Sequence, residues 1–283
     1  MKLSFVVDSA SDIKIDEEQI AVPLIVVPLN VQFGEDHYLD GVTITDDEFY
    51  SRMAIESELP KTSQPSPQSF FDTFKKEVDN GNHVLYIGLS SNLSGTVQSA
   101  AIAKGMLTEK EQEQVTIIDS GIASAGVKIL LHEANDMLQN NASLQDILNK
   151  IEEIKPRIKG NLLIETIENL KKGGRISAVQ GAIAGMLNIK PMISIQNGIV
   201  ETIGKFRGSK KGIAKMKEMI LEWKKANPGK ALYIIHSLSS TEEVKNEFED
   251  IFEFSSFPKV VYTRFGSTIG TYASEKAIGF VVY

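Results

Sequence analysis

The most constraining feature of the sequence is a regular alternation of short apolar runs with longer segments between residues 84 and 138. The runs at 84–89 and 115–119 are rich in Val, Ile and Leu, as buried strands are. The segments at 95–107 and 123–138 have the length of helices, and the second repeats its apolar residues at helical spacing. Strands that alternate with helices of about 10 to 15 residues predict parallel βαβ units, and therefore an α/β fold.

The second half of the chain shows a different pattern. Asn197-Gly198 separates two β-rich runs at 190–195 and 199–203, which predicts a hairpin with a primed turn. A basic helix is expected at 210–225, with later strands near 231–235 and 259–264. These elements favour a mixed sheet.

The length of 283 residues suggests two domains, at roughly 150 residues each. We expect an N-terminal parallel-sheet α/β domain at residues 1–157 and a C-terminal mixed-sheet α/β domain at residues 158–283. Within the first, Thr45, Ser66, Ser94 and Ser143 each precede a helical pattern and are predicted N-caps. The segment 60–65 reads as a loop.

Motifs for several kinds of chemistry are missing from the sequence. It has no cysteine, no G-x-G-x-x-G, no H-E-x-x-H and no G-x-S-x-G, and Gly204-Lys205 lacks the remainder of a phosphate-binding loop. The four histidines are scattered without ligand spacing. We therefore expect no metal, no cofactor and no enzymatic activity of the chain on its own.

Charge is distributed unevenly along the chain. The net charge of −7 argues against nonspecific nucleic-acid binding, yet residues 155–225 contain 15 Lys and Arg against 5 Asp and Glu. This basic segment is either the solvated face of a helix or a docking surface for an acidic partner or a phosphate. No run approaches the ~18 apolar residues of a membrane span, and no signal peptide is evident, so we expect a cytoplasmic protein without stable membrane insertion.

Four polar clusters rich in Ser, Thr and Gly follow predicted strands or precede helices. In open α/β sheets, ligands bind beyond the carboxyl ends of strands, and hydroxyls with free amides suit an anion. Each cluster alone is most simply a cap or a turn. The clusters are Asp8-Ser9-Ala10-Ser11-Asp12, Thr62-Ser63-Gln64-Pro65-Ser66, Ser91-Asn92-Leu93-Ser94-Gly95-Thr96 and Gly173-Gly174-Arg175-Ile176-Ser177.

Together, in this order and spacing, the clusters resemble the signatures of the DegV family. Ile189-Lys190-Pro191 before the hairpin and Lys205-Phe206-Arg207 after it also match, so the resemblance covers residues 2 to 282. It implies a two-domain fold that holds one long-chain fatty acid in a tunnel at the domain interface. It also implies a binding subunit that presents the carboxylate to a separate ATP-dependent fatty-acid kinase subunit, which makes an acyl phosphate for phospholipid synthesis.

The resemblance also implies roles for individual residues. Thr62 and Ser94 correspond to the pair that hydrogen-bonds the carboxylate, and their neighbours Ser63 and Gly95 could add donors. The arginines that face the kinase correspond to Arg175 and Arg207. Both lie in the basic segment, which favours its interpretation as a docking surface.

The sequence departs from the family pattern near its C-terminus. Many members have a G-T-H-T-G-P-G-like segment, whose His joins the head-group network, whereas this chain has Tyr272 at that position. A phenol donates a hydrogen bond but never carries a positive charge. An alternative is therefore a carrier or sensor of an acyl or isoprenoid lipid that is not coupled to a kinase. A hydrolase with Ser94 as nucleophile is a third hypothesis, although no motif supplies a base.

Overall fold

The structure is a computed structural model that describes residues 2–176, 188–254 and 257–283. Its strands are β1 (Leu3–Asp8), β2 (Leu24–Val27), β3 (Asn30–Phe33), β4 (Asp36–Leu39), β5 (Lys61–Ser63), β6 (His83–Gly88), β7 (Val115–Asp119), β8 (Lys159–Leu163), β9 (Ile189–Gln196), β10 (Ile199–Arg207), β11 (Leu232–His236), β12 (Val260–Arg264) and β13 (Ile278–Val282). Its helices are α1 (Asp46–Met53), α2 (Pro67–Asp79), α3 (Thr96–Gly105), α4 (Glu109–Gln112), α5 (Ala125–Gln139), α6 (Leu144–Ile154), α7 (Glu168–Lys172), α8 (Ser209–Ala226), α9 (Thr241–Phe254) and α10 (Ser267–Ala273).

A parallel sheet of four strands, in the order β2-β1-β6-β7, forms the centre of the N-terminal half. Successive side chains of a strand point to opposite faces. Phe5 therefore packs with α5 and α6, whereas Val6 packs with α2 and α3. A parallel sheet covered on both faces has strands that are apolar throughout, which explains the uninterrupted apolar runs of the sequence.

A small antiparallel sheet in the order β4-β3-β5 was not predicted. Residues 60–65 were expected to form a loop, but Lys61–Ser63 is a strand in which Thr62 pairs with Val31 of β3. The alternation of the strand separates two predicted site residues, because Thr62 is partly buried while Ser63 is exposed.

The C-terminal half contains a six-stranded sheet in the order β10-β9-β8-β13-β11-β12. Only the pairing of β11 with β12 is parallel, so the predicted mixed sheet is confirmed. The predicted hairpin is also confirmed: Asn197 and Gly198 have φ values of 53° and 71°, as a primed turn requires. Helices α8 and α9 cover one face of the sheet.

The two halves share a continuous core. One cluster of buried side chains combines Phe5 and Leu130 from the N-terminal half with Tyr233 and Val281 from the C-terminal half. Helix α10 also contacts α1, β3 and β5. The division after residue 157 stays a prediction; it falls between the 3-10 helix Lys155–Arg157 and β8.

Three of the four predicted helix caps are confirmed. Thr45, Ser66 and Ser143 each accept a hydrogen bond from a backbone N–H in the first turn. The prediction for Ser94 was wrong, because α3 begins at Thr96 with Gly95 as its N-cap. The hydroxyl of Ser94 instead bonds with Thr96 Oγ1, at 2.9 Å.

Candidate ligand-binding site

A largely apolar cavity lies between the N-terminal and C-terminal sheets. The volume open to the centre of a water molecule is about 90 Å³. This is several times the ~10–15 Å³ that one water needs on the same measure. Its apolar lining draws on both halves of the chain: Leu29, Leu89, Leu93, Ile122, Ala123, Leu162, Leu170, Ile193, Ile195, Val200, Ile235, Phe265, Ile269, Ala273 and Val281. The polar side chains in the described lining are Thr62, Ser94, Ser124, Arg175, Thr268 and Tyr272.

Thr62, Tyr272 and Arg175 form a polar cluster in the cavity wall. Tyr272, near the end of α10, shares a hydrogen bond of 2.6 Å between its Oη and Thr62 Oγ1. The Arg175 guanidinium lies over the ring of Tyr272, with its Cζ atom 5.2 Å from the ring centroid, within the range of a cation–π contact. The three residues come from β5, α10 and the segment after α7, so only the folded chain brings them together.

The glycines of the Gly173-Gly174-Arg175 segment allow this packing. A Cβ atom on Gly173 would overlap the Tyr272 ring, so the close approach of α7 to α10 requires glycine there. Gly174 has a φ of 71°, which glycine adopts without strain. The chain then turns so that Arg175 Nε donates to Leu93 O at 3.2 Å, and Arg175 Nη1 donates to Gly173 O.

Ser94 lies in the loop that precedes α3 and lines the same cavity. Its N–H donates to Ser90 O at 3.1 Å. The next residue, Gly95, is packed against Gln64, whose Nε2 donates to Ser99 Oγ at 2.9 Å. The segments around Thr62, Ser94 and Arg175 are thus held together by side-chain contacts, of Gln64 with Gly95 and Ser99 and of Arg175 with Leu93 O.

Buried carboxylates hold the loops around the cavity. Asp8 accepts hydrogen bonds from Leu89 N–H and Tyr86 Oη, both at 2.8 Å. Burial raises the pKa of Asp8 to about 6, against the opposing effect of its hydrogen bonds to Leu89, Tyr86 and Ala10. Asp8 therefore connects the ends of β1 and β6 rather than lining the cavity.

Asp40 and Asp12 hold the start of α10. Asp40 accepts from the N–H groups of Ser267 and Thr268, at 3.0 and 3.2 Å, and from the Thr268 hydroxyl at 2.6 Å. Asp12 accepts from Gly266 N–H at 2.9 Å. These contacts fix α10, which carries both Thr268 and Tyr272, on the N-terminal half. No sequence motif pointed to Asp40, since Ser267 and Thr268 lie more than 200 residues away in the chain.

The structure brings four of the predicted site residues together in the lining of one cavity: Thr62, Ser94, Arg175 and Tyr272. Ser63, Gly95 and Arg207 are not part of that lining, and Ser63 and Arg207 are exposed. Ser177, the last residue of the Gly-Gly-Arg-Ile-Ser segment, lies outside the described residues. Sequence reasoning missed Ser124 and Thr268.

Metal sites and membrane spans are both absent from the described residues. No group of three or more His, Cys, Asp or Glu side chains there could hold a metal ion. Within the same ranges, none of the helices has the length and apolar character needed to span a membrane.

The family model described as DegV matches residues 2–283. The chain belongs to the DegV family. A DegV domain-containing protein of Caldanaerobacter subterraneus is 33% identical over 284 residues, which cover 98% of this chain and 97% of the relative. Protein DegV of Bacillus subtilis is 30% identical over 284 residues, covering 99% and 98%. The predicted membership is confirmed over nearly the whole chain.

Solved DegV structures have the same fold. A Thermus thermophilus DegV family protein, described by its fatty acid binding, has a TM-score of 0.88 at 29% identity and covers 100% of this chain and 99% of its own. Bacillus subtilis DegV, described as a fatty acid binding protein, has a TM-score of 0.85 at 27% identity, with coverage of 99% and 98%. A stearic acid-binding protein of Eubacterium ventriosum has a TM-score of 0.88 at 25% identity, with coverage of 99% and 97%. The predicted DegV-like α/β fold is confirmed.

Proposed function

We propose that this DegV protein binds one long-chain fatty acid in the cavity and presents its carboxylate to a separate ATP-dependent fatty-acid kinase subunit, which forms the acyl phosphate. The observation that carries the proposal is an apolar cavity whose wall contains the hydrogen-bonded pair of Thr62 and Tyr272 beside Arg175. Relatives of the same fold that are described as fatty acid binding support it.

The apolar lining supplies the affinity. Burial of one methylene contributes ~0.8 kcal/mol, so about 15 methylenes contribute roughly 12 kcal/mol before the cost of association. Side chains from both halves share this lining. A bound acyl chain would therefore also add contacts between the two halves.

The polar cluster orients the carboxylate. Thr62 and Tyr272 share a single hydrogen bond, so one of their two hydroxyl protons remains to be donated to a carboxylate oxygen. Ser94 supplies a further hydroxyl. Arg175 uses Nε and one hydrogen of Nη1 on backbone carbonyls, which leaves three of its five N–H groups and its positive charge for an anion. In this proposal, Gly95 and Ser63 are neighbours of Ser94 and Thr62 that lie outside the cavity lining.

A fixed carboxylate is what a carrier contributes to a partner's chemistry. Positioning the reacting oxygen removes part of the entropic cost of the partner's reaction. The chain lacks the sequence motifs of a nucleotide site, which supports a lipid-binding subunit that leaves ATP to its partner. Arg207, which is exposed, and Arg175, which is partly buried, are proposed to face that partner. The proposed location of both proteins is the cytoplasm.

A second candidate is a carrier or sensor of an acyl or isoprenoid lipid without kinase coupling. The observation that favours it is Tyr272, whose uncharged phenol bonds with Thr62 where the family pattern has a titratable His. Formation of acyl phosphate with the cognate kinase distinguishes the two candidates.

The head-group assignment is tested with Thr62→Ala combined with Ser94→Ala. Because the tail provides most of the binding energy, we expect this double variant to retain bound lipid while acyl-phosphate formation falls about 100-fold or more. Ser51→Ala with Thr73→Ala, which removes two hydroxyls outside the cavity lining, is the matched control. Equal loss of lipid and of phosphorylation would contradict the assignment.

The docking role is tested on Arg207 alone, since it does not line the cavity. We expect Arg207→Ala to weaken association with the kinase and leave the amount of copurified lipid unchanged. Lys110→Ala, at an exposed position of α4 outside the basic segment, is the control. Unaltered association of Arg207→Ala with the kinase would remove this residue from the docking surface.

A further inference from the structure

The cavity wall contains a second polar position, apart from the Thr62 cluster. Ser124 lines the cavity and is only 3% exposed, and its hydroxyl has no hydrogen-bond partner. It precedes α5, where a serine hydroxyl ordinarily caps the helix, but it makes no such bond here. A buried hydroxyl without a partner is costly, and this one borders the cavity, where a bound molecule would be able to pair with it.

Asp12 adds a second free polar atom next to Ser124. Its Oδ1 accepts from Gly266 N–H at 2.9 Å, while its Oδ2 has no hydrogen-bond partner and its side chain is 8% exposed. Burial raises the pKa of Asp12 well above the ordinary value, against the opposing effects of the nearby Ser124 hydroxyl and of Gly266 N–H. The Ser124 hydroxyl thus lies beside the Asp12 carboxyl but outside the geometry of a hydrogen bond with it. In its protonated form this carboxyl can donate as well as accept a hydrogen bond.

The second position is connected to the start of α10, whereas Tyr272 of the head-group cluster lies near the end of that helix. Asp12 bonds with Gly266 immediately before α10, and Thr268 in the first turn of α10 also lines the cavity. Tyr272 lies four residues after Thr268, about 6 Å along the helix axis. An acyl chain whose carboxylate is held at Tyr272 and Thr62 would therefore pass Ser124 with its chain atoms rather than with its head group.

We propose that Ser124, together with the neighbouring Asp12, forms a second polar subsite that binds a hydroxyl group carried on the chain of an acyl ligand. The inference rests on the proposed fatty-acid function and extends it to hydroxylated long-chain fatty acids. A second carboxylate would lose its hydration in this apolar cavity, with no positive charge beside it among the described residues, whereas a hydroxyl is neutral and both donates and accepts. Water has the same chemistry and is the competing occupant.

The test compares stearic acid with its monohydroxylated isomers, each with the hydroxyl at a different chain position. Delipidated protein is titrated in a displacement assay with a fluorescent fatty acid. We expect at least one isomer to bind the wild type at least as tightly as stearic acid does. Removal of the Ser124 hydroxyl should weaken binding of that isomer about tenfold, or about 1.4 kcal/mol, and change binding of stearic acid less than about twofold.

Two variants of Ser124 are used, so that a folding defect in one of them does not decide the result. Ser124 has a φ of 53°, so Ser124→Gly removes the hydroxyl and suits the backbone, while Ser124→Ala retains Cβ. Ser4→Ala is the matched control, since Ser4 is also buried with an unpartnered hydroxyl but does not line the cavity. Thermal unfolding of each variant checks that the fold is intact.

The outcomes separate the inference from the proposed function. If every hydroxylated isomer binds the wild type more than about tenfold more weakly than stearic acid, the subsite holds water or nothing and the inference is wrong. Equal weakening of both ligand classes by the Ser124 variants also overturns it, since Ser124 then acts through the fold. Failure of the wild type to bind any of these acids refutes the proposed function and the inference with it.

Discussion

Tyr272 connects several parts of the site through contacts of different kinds. Its hydroxyl bonds with Thr62, its ring lies under the Arg175 guanidinium, and the edge of the ring packs on Gly173. The ring contacts are independent of the hydroxyl, so the two can be removed separately. Substitutions at Tyr272 and Gly173 can therefore distinguish orientation of the ligand carboxylate by the hydroxyl from packing of the ring.

Tyr272→Phe removes the hydroxyl and retains the ring. Since Thr62 then loses its partner, we expect the affinity for a saturated fatty acid to fall about 5- to 10-fold, or roughly 1 to 1.4 kcal/mol. The measurement is displacement of a fluorescent fatty acid, with Tyr262→Phe as control because Tyr262 does not line the cavity. An unchanged affinity would exclude the Tyr272 hydroxyl from the head-group network.

Gly173→Ala affects the ring instead. The added methyl group would overlap Tyr272, so the ring must move or α7 must shift. We expect a loss of about 1 to 3 kcal/mol in the free energy of unfolding, which is the usual cost of overpacking, and weaker binding of fatty acid. Gly105→Ala is the control, because a Cβ atom there meets open space. If Gly173→Ala matches this control in stability and affinity, Tyr272 is not held by close packing.

Single residues differ in how far the sequence predicted them. Thr62, Ser94 and Arg175 were predicted because each belongs to a short motif that resembles a family signature, and all three line one cavity. Asp40 and Ser124 were missed because their roles depend on partners distant in the chain or on the shape of a cavity. A sequence pattern records neighbours along the chain, not across a sheet.

At the scale of elements, one buried charge network attaches the segment before β2 to α5 and β11. Glu18 accepts from Lys128 Nζ at 2.8 Å and contacts His132 Nε2 at 2.7 Å, and His132 Nδ1 lies 2.9 Å from Tyr233 Oη. Burial raises the pKa of Glu18, but hydrogen bonding and charge from His132 and Lys128 outweigh it and lower the pKa to about 2. The network therefore stabilises the fold only while Glu18 is ionised.

Glu18→Gln should make the free energy of unfolding less sensitive to acid. Because the pKa of Glu18 falls from 4.5 to about 2 on folding, its contribution is complete above pH 4.5 and is lost as the pH falls towards 2. We expect the wild type to exceed Glu18→Gln in unfolding free energy by about 1 to 3 kcal/mol at pH 7, with the difference shrinking as the pH falls towards 2. Urea unfolding at several pH values measures this.

Glu17→Gln is the control for that experiment, since Glu17 is adjacent but exposed. It should follow the wild type across the whole pH range. A difference between the wild type and Glu18→Gln that is equally large at pH 7 and pH 2 would contradict the electrostatic account.

Elements with strong local signals were predicted, and elements that depend on distant contacts were not. The β9–β10 hairpin follows from Asn197-Gly198, whose backbone favours a primed turn. In contrast, α10 is short, contains Gly270 and β-branched residues, and has low intrinsic helix propensity. It forms where Asp40 and Asp12 accept its first N–H groups. Strand β5 likewise exists because β3 is beside it.

At the scale of the whole molecule, the shared core predicts one cooperative unfolding transition. Buried side chains of both halves form one cluster, so separation of the halves would expose part of the core. We expect far-UV circular dichroism and the fluorescence of Trp223, the sole tryptophan, to give coincident urea transitions. Two separated transitions would show that the halves are energetically independent.

A substitution that destabilises the C-terminal half should then lower the free energy of unfolding of the entire chain. Ile220→Ala removes a fully buried side chain of the cluster confined to that half and should cost about 2 to 5 kcal/mol. We expect both spectroscopic signals to shift together. A shift of the fluorescence transition alone would contradict the shared core.

Whether the cavity between the two sheets holds one fatty acid can be measured by native mass spectrometry of the purified protein together with analysis of its organic extract. We expect one copurified fatty acid per chain, in a complex lost on delipidation and regained when fatty acid is added. A lipid-free protein that also fails to take up fatty acid would contradict this expectation.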